Sequence, residues 1–159
     1  MEDIFNQPTE MVHIRDVSRQ QREIQRAAQL LKAGELVAFP TETVYGIGAL
    51  GLNVEAVERL YAAKNRPVGK AFSLQVANVN MIQQIAAYVP LMARKLLEKF
   101  APGPITVVLP KAAQVPELVT GGRDTVGIRI PDNPVALAVL QAVGAPLAVP
   151  SANISGHVS

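Results

Sequence analysis

The stretch FPTETVYGIG, Phe39–Gly48, decides how the chain is arranged. The apolar run at 36–39 predicts a buried strand that closes at Pro40. Two threonines, a glutamate and a tyrosine then follow in a loop punctuated by glycines, and polar side chains at the ends of parallel strands commonly bind ligands. Gly46 and Gly48 would let the backbone approach a substrate closely. An ordinary polar turn explains the same residues equally well.

Short elements are predicted on both sides of this stretch. Before it, the sequence predicts a strand over 11–14 and a helix that starts at Ser18, has Gln21 as its capping-box partner and stops at Gly34. After it, the patterns predict helices over 53–64, 79–87, 91–100 and 134–143, and strands over 72–76, 105–109, 126–130 and 147–149. Because these elements interleave, we expect an α/β fold with a twisted, mixed parallel and antiparallel sheet flanked by helices.

The length of 159 residues suits one domain over 1–159, with residues 1–10 as a flexible lead-in. The chain closes on 155–159 directly after the last predicted strand. A strand exposed there would leave an unpaired sheet edge, so we expect a domain that is truncated at its C-terminus.

Composition excludes several classes of protein. The chain has no cysteine, which rules out disulfides and thiolate metal ligands. No apolar run approaches the ~18 residues that span a bilayer. His13 and His157 are the only histidines, and neither lies in a metal-ligand pattern, so we predict no metal site in the protein. These features favour a cytoplasmic protein with no membrane partner.

Positive charge is concentrated in the middle of the chain. The net charge is only +2, yet no acid occurs between Glu58 and Glu98. The cations inside that interval are Arg59, Lys64, Arg66, Lys70, Arg94 and Lys95. Such a field favours an anionic partner such as a nucleotide or RNA, although a solvated basic surface explains the bias too.

Two of these cations stand in KNRP, at 64–67. Lys64 and Arg66, stiffened by Pro67 and followed by Lys70, suit a polyphosphate, because arginine binds phosphate oxygens bidentately and lysine adds a mobile charge. The alternative is that both cations complement the negative end of the preceding helix.

Two later segments have the residues of a binding site. In GGRDTVGIR, at 121–129, Thr125 and Arg129 fall on one face of a strand. An arginine in an apolar strand needs a partner, which is either a bound carboxylate or an internal salt bridge. In PSANISG, at 150–156, short polar side chains beside backbone N–H groups suit an anion-binding turn, or else a simple helix N-cap.

These segments occur in a specific order: PTETVYGIG, KNRP, PGPIT at 102–106, DTVGIR and PSANISG. In that order they resemble the YrdC-like family of threonylcarbamoyl-AMP synthases, over roughly 18–159. The resemblance implies a YrdC-like fold with a large basic cavity. It also implies an enzyme, L-threonylcarbamoyladenylate synthase, a nucleotidyltransferase that makes threonylcarbamoyl-AMP and pyrophosphate from L-threonine, bicarbonate and ATP. Partner proteins of tRNA modification would then use the product at adenosine 37 of tRNAs that read ANN codons.

The resemblance also assigns roles to matching positions. It implies that threonine is bound by Thr43, Arg129 and Val149, and that Lys64 and Arg66 supply catalytic positive charge. The residues that it implies for ATP binding are Arg66, Lys70, Thr125, Ser151, Asn153 and Ser159. Mg²⁺ would arrive with ATP, held mainly by phosphates and water. Many members have a histidine where this chain has Gln75, which leaves Gln75 as a threonine contact in doubt.

Two other functions fit parts of the sequence. A non-catalytic module that binds tRNA or double-stranded RNA would use the basic stretch from Arg59 to Lys95. A carbamoyl-adenylate-forming relative would use carbamoyl phosphate, and would carry acyl-phosphatase and zinc-binding segments that the sequence lacks.

Overall fold

The computed structural model describes residues 8–158. Within them the strands are β1 Val37–Phe39, β2 Gly46–Leu50, β3 Ser73–Gln75, β4 Val107–Pro110, β5 Thr125–Arg129 and β6 Leu147–Ala148. The helices are α1 Gln21–Lys32, α2 Val54–Ala63, α3 Val79–Ile82, α4 Leu91–Phe100, α5 Glu117–Thr120 and α6 Pro134–Val143. The strands form a single six-stranded sheet in the order β1-β2-β6-β3-β5-β4.

The sheet is mixed, as predicted. Strands β3 and β5 pair in parallel, and the other neighbours pair antiparallel. The prediction that the polar loop follows a parallel strand is wrong, because β1 pairs antiparallel with β2. The expected unpaired edge after the last strand is wrong too. Strand β6 lies inside the sheet, between β2 and β3, and the edges are β1 and β4.

The glycine-rich half of the decisive stretch is strand β2 rather than a loop, which corrects the sequence interpretation. A Cβ on Gly46 would lie 2.5 Å from Val149 Cγ1, and one on Gly48 would lie 2.8 Å from the Phe39 ring. These glycines are therefore required by close side-chain packing across the sheet. Glycine normally weakens a strand, and this hid the element from sequence reasoning.

The first helix begins later than predicted. Residues 11–14 form no strand, and α1 starts at Gln21 without a side-chain cap. The Asp16 carboxylate instead accepts hydrogen bonds from the N–H and hydroxyl of Ser18, 2.9 and 2.6 Å long, which fixes a turn before the helix. The Gln21 side chain donates to the Val17 carbonyl at 2.6 Å, so the predicted capping box is absent. The helix ends as expected at Gly34, whose φ is +86°.

The boundaries of α2, α4 and α6 agree with the sequence, whereas the helix predicted over 79–87 ends at Ile82. Asn53 caps α2 by accepting from the Ala56 N–H at 3.1 Å, and Asn133 caps α6 ahead of Pro134. Gly144, with φ of +69°, ends α6. The four-residue helix α5 was not predicted.

The core is aliphatic, as the low aromatic content requires. The largest fully buried side chains come from both helices and strands, and include Leu31, Leu60, Leu74, Ile128 and Leu140. Over residues 8–158, none of the helices is both long and apolar enough to cross a membrane.

Candidate active site

The polar loop between β1 and β2 reaches Arg129 at the end of β5. The Thr41 hydroxyl donates to the Val44 carbonyl at 2.6 Å and holds the loop in a tight turn. Its neighbour Glu42 accepts a hydrogen bond from the Arg129 guanidinium, and the Thr43 hydroxyl lies 3.2 Å from the same nitrogen. Thr43 and Arg129, both predicted to bind threonine, are therefore brought together although 86 residues separate them.

Both side chains of the Arg129–Glu42 salt bridge are only 16% exposed. Burial raises the pKa of Glu42, but the hydrogen bond and charge of Arg129, together with the backbone N–H groups of Glu42 and Asp132, outweigh it, so the pKa lies below its ordinary value. Glu42 is therefore ionised at neutral pH. The sequence left two partners open for Arg129, and the structure contains the internal salt bridge.

Gln75 is the neighbour of Arg129 on the adjacent strand. It pairs in register with Arg129 across the parallel strands β3 and β5, so both side chains leave the same face of the sheet. Gln75 is 3% exposed, and its Oε1 has no hydrogen-bond partner. Uncompensated burial of a polar group is costly, so this residue is not ordinary core packing.

Lys64 is buried at the end of α2, with 2% of its surface exposed. Its ammonium donates to the backbone carbonyls of Ser151 and Asn153. The Lys64 carbonyl in turn accepts from the Ser155 N–H at 3.0 Å. Burial, together with the charge of Arg66, lowers the pKa of Lys64. One lysine thus ties the KNRP segment to the turn that follows β6.

That turn, 150–156, has internal bonds of its own. The Asn153 side chain donates to the carbonyls of Ile154 and His157, at 3.0 and 2.7 Å, so it shapes the turn from within, while its predicted contact with ATP stays a prediction. The Ala152 N–H donates to the Tyr45 carbonyl at 2.8 Å, which joins the turn to the loop before β2. Within 152–158 the backbone forms bends and turns rather than a helix.

Arg66 is placed by a reversal of the chain after α2. Asn65 has φ of +47°, a conformation that asparagine tolerates, and the Arg66 N–H bonds back to the Tyr61 carbonyl. The guanidinium donates to the carbonyls of Lys70 and Ala71, at 3.1 and 2.9 Å. These contacts fix the direction of the Arg66 charge beside the exposed Lys70.

Two aromatic rings, Phe72 and Tyr61, support the Arg66 guanidinium, and Phe72 contacts it directly. The guanidinium carbon is 4.8 Å from the centre of the Phe72 ring, a cation–π distance. Phe72 packs on Tyr61, whose hydroxyl donates to the Lys70 carbonyl at 2.7 Å. The rings therefore hold both the charge and the loop that follows it.

The remaining predicted site residues lie around these clusters. Val149 follows β6 and packs against Gly46, and its N–H donates to the Ser73 carbonyl at 3.3 Å. Thr125 opens β5 and is exposed, while Val126 and Ile128 point into the core, so the predicted alternation is confirmed. Ser159, predicted to bind ATP, lies outside the described residues.

Sequence reasoning named neither Glu42 nor the orphaned state of Gln75 as part of the site. A signal for Glu42 was present, because a buried arginine needs an acid and PTET contains one beside the predicted Thr43. The resemblance marked the position of Gln75, but no sequence signal predicted its burial, which depends on the register of β3 against β5.

One cavity, of about 280 Å³, lies away from these clusters, between the segment 10–15, α1, β1 and α6. It shares only Pro40 and Tyr45 with the polar loop. It is not the large basic cavity that the sequence suggested, which stays a prediction. Within 8–158, no group of three acidic, histidine or cysteine side chains could hold a metal ion.

The fold and these clusters define an α/β domain in which the turn at 150–156 joins the polar loop before β2 to Lys64 at the end of α2. The chain belongs to the Sua5/YciO/YrdC family, whose model, described as "Telomere recombination", matches residues 29–159. The predicted family is therefore confirmed.

Relatives and solved structures agree with this assignment. The chain is 45% identical over 136 residues to the threonylcarbamoyl-AMP synthase of Pyrococcus abyssi, covering 86% of this chain and 40% of that protein. It is 42% identical over 145 residues to that of Bacillus subtilis, covering 91% and 42%. The crystal structure of P. abyssi Sua5 complexed with L-threonine has a TM-score of 0.86 and 44% identity, covering 88% of this chain and 41% of that one. The chain spans about two fifths of the length of these relatives.

Proposed function

We propose that this protein makes threonylcarbamoyl-AMP from L-threonine, bicarbonate and ATP, with release of pyrophosphate. The observation that carries the proposal is the convergence of Thr43 and Arg129, 86 residues apart along the chain, in a loop that the turn at 150–156 links to Lys64. The two relatives named as threonylcarbamoyl-AMP synthases and the threonine complex of P. abyssi Sua5 support it.

The reaction needs no protein nucleophile. Bicarbonate gives carbon dioxide and hydroxide. The threonine amine attacks the carbon of carbon dioxide, and the proton that it loses combines with the hydroxide to form water, which leaves a carbamate. A carbamate oxygen then attacks the α-phosphorus of ATP, and the bond to pyrophosphate breaks. Catalysis of both steps consists of positioning the reactants and neutralising negative charge as it develops.

The cationic segment suits the second step. Arg66 is held by two backbone carbonyls and the Phe72 ring, so its charge is preorganised for phosphate oxygens, and the exposed Lys70 adds a mobile charge. Ser151 and Thr125 would contribute hydroxyl donors to ATP. Lys64 would act by fixing the turn that carries Ser151, since its ammonium is occupied by carbonyls of that turn.

Mg²⁺ would arrive bound to ATP. The residues proposed for the nucleotide are cations and hydroxyls, so the ion would be held by phosphate oxygens and water, as Mg²⁺ commonly is. We further propose that the product is passed to proteins that modify adenosine 37 of tRNA.

Pyrophosphate release from ATP, with threonine and bicarbonate each supplied or withheld, tests the function. Release should require both co-substrates. Arg66→Ala should lower kcat/KM for ATP about 10-fold to 1,000-fold, the effect of losing one preorganised charge on a phosphate. Arg22→Ala, an exposed arginine on α1, is the matched control and should leave the rate unchanged. Release independent of threonine would refute the proposal. Salt-sensitive RNA binding without release would favour the RNA-binding module instead.

A further inference from the structure

Three buried side-chain atoms among residues 8–158 have no hydrogen-bond partner, and they belong to one cluster: Glu42 Oε2, Gln75 Oε1 and Arg129 Nε. Folded proteins satisfy nearly all buried polar groups, so three orphans in one place need an explanation. The other oxygen of Glu42 is bound to Arg129, and Gln75 is the strand partner of Arg129.

The three orphans have a definite chemical pattern. Arg129 Nε is a charged donor, Glu42 Oε2 is a charged acceptor, and Gln75 Oε1 is a neutral acceptor. An α-amino acid presents the complement of the charged pair, since its carboxylate accepts and its ammonium donates from neighbouring carbon atoms. Binding a carboxylate at Arg129 Nε would bring that ammonium close to the Glu42 carboxylate, which is bound to a terminal nitrogen of the same guanidinium.

We propose that Glu42 is the residue that receives the α-amino group of the substrate and so selects an amino acid over other carboxylic acids. This inference rests on the proposed function and adds a residue that the sequence did not assign. Glu42 remains bound to Arg129 while the substrate is present, because each uses a different nitrogen of the guanidinium. Glu42 therefore places the amine that is to be carboxylated, and it is a specificity residue rather than part of the nucleotide site.

The ion pair with Arg129 explains how Glu42, although buried, can bind a positively charged amino group. The hydrogen bond from Arg129 helps to keep Glu42 ionised despite its burial, and the pKa of Glu42 is lowered accordingly. A buried carboxylate of fixed direction favours an ammonium over a hydroxyl, because charge-assisted hydrogen bonds are about twice as strong as neutral ones. An uncharged side chain of the same size would lose that preference.

The experiment compares two ligands by titration calorimetry. One is L-threonine, and the other is its α-hydroxy analogue, dihydroxybutanoate, in which a hydroxyl replaces the amino group. The protein should prefer threonine. Glu42→Gln should weaken threonine binding about 10-fold to 100-fold and change analogue binding less than about 3-fold, so that discrimination is largely lost. Glu35→Gln, the same change in the exposed Arg59–Glu35 pair, is the matched control and should alter neither affinity.

Three results would overturn the inference, and they are distinguishable. Equal weakening of both ligands by Glu42→Gln would mean that Glu42 only holds Arg129. Unchanged affinity of Glu42→Gln for both ligands would exclude contact with the amine, while leaving the proposed function intact. Failure of the unmodified protein to bind threonine at all would overturn the proposed function and this inference with it.

A measurement on the unmodified protein guards against a Glu42→Gln variant that does not fold. The NMR signal of the Glu42 carboxyl carbon should shift on addition of threonine and stay in place on addition of the α-hydroxy analogue. The same shift with both ligands would overturn the inference.

Discussion

Replacing Lys64 with methionine would remove one charge from a position that is almost closed to solvent. Lys64 is 2% exposed, and its ammonium donates to the carbonyls of Ser151 and Asn153. Methionine has a similar length, so the change deletes both bonds without opening a large cavity. The turn at 150–156 would then lose its link to the end of α2.

The expected loss of stability follows from two opposing effects. Each hydrogen bond from a charged donor contributes about 1.5–3 kcal/mol, so two bonds contribute about 3–6 kcal/mol. Removing a buried ammonium relieves a desolvation penalty of several kcal/mol, an effect with the same origin as the lowered pKa of Lys64. We therefore expect a net loss of about 1–3 kcal/mol, which for a chain of this size corresponds to a Tm about 2–12 °C lower.

Thermal unfolding followed by circular dichroism measures this loss. Lys95→Met, at an exposed position on α4, is the matched control and should change the free energy of unfolding by less than about 0.5 kcal/mol. Hydrogen exchange should also accelerate in 150–156 more than in the rest of the Lys64→Met variant. Equal stability of the two variants, with unchanged exchange in the turn, would show that Lys64 does not hold the turn.

Two further predictions concern β2 and the ion pair. Gly46→Ala should cost about 1–3 kcal/mol, because the new Cβ would lie 2.5 Å from Val149 Cγ1. Val149→Ala in the same chain should recover part of this in chemical denaturation, and strictly additive losses would contradict the packing argument. The pKa of Glu42 lies below its ordinary 4.5, so the ion pair stabilises the protein above that pH. This contribution is lost as the pH falls through the folded-state value. As the pH falls below 4.5, the free energy of unfolding of Glu42→Gln should therefore decrease less than that of the unmodified protein. If the two free energies of unfolding fell in parallel with pH, Arg129 would not depress this pKa.

Much of the fold was readable from local patterns. Asn53 and Gly144 mark real helix ends, because capping depends only on neighbouring backbone groups. The alternation of exposed Thr125 with buried Val126 was also readable, since a strand has a period of two. These features need no knowledge of distant contacts.

What the sequence concealed depends on tertiary packing. Gly46 and Gly48 look like loop residues until Val149 and the Phe39 ring are known to lie against them. The residues of the site were only partly predictable from the sequence, because some of their contacts also depend on tertiary packing. Motif order predicted that Thr43 and Arg129 belong together, whereas the carbonyl partners of the Lys64 ammonium are set by the path of the turn after β6.

The position of β6 has a consequence for synthesis on the ribosome. β6 is the last of the six strands along residues 8–158, yet it lies between β2 and β3. Before residues 147–148 emerge, β1 and β2 can form a hairpin, and β3, β5 and β4 can form a separate three-stranded sheet. No strand of the described residues other than β6 pairs with both of these units. In the nascent chain, the edges of β2 and β3 that later pair with β6 must therefore stay unpaired, which leaves a gap, here called the slot, between two partly formed sheets. Since non-local strand pairing is slow, closing this slot is the step at which newly made chains would be most exposed to aggregation and to chaperone capture.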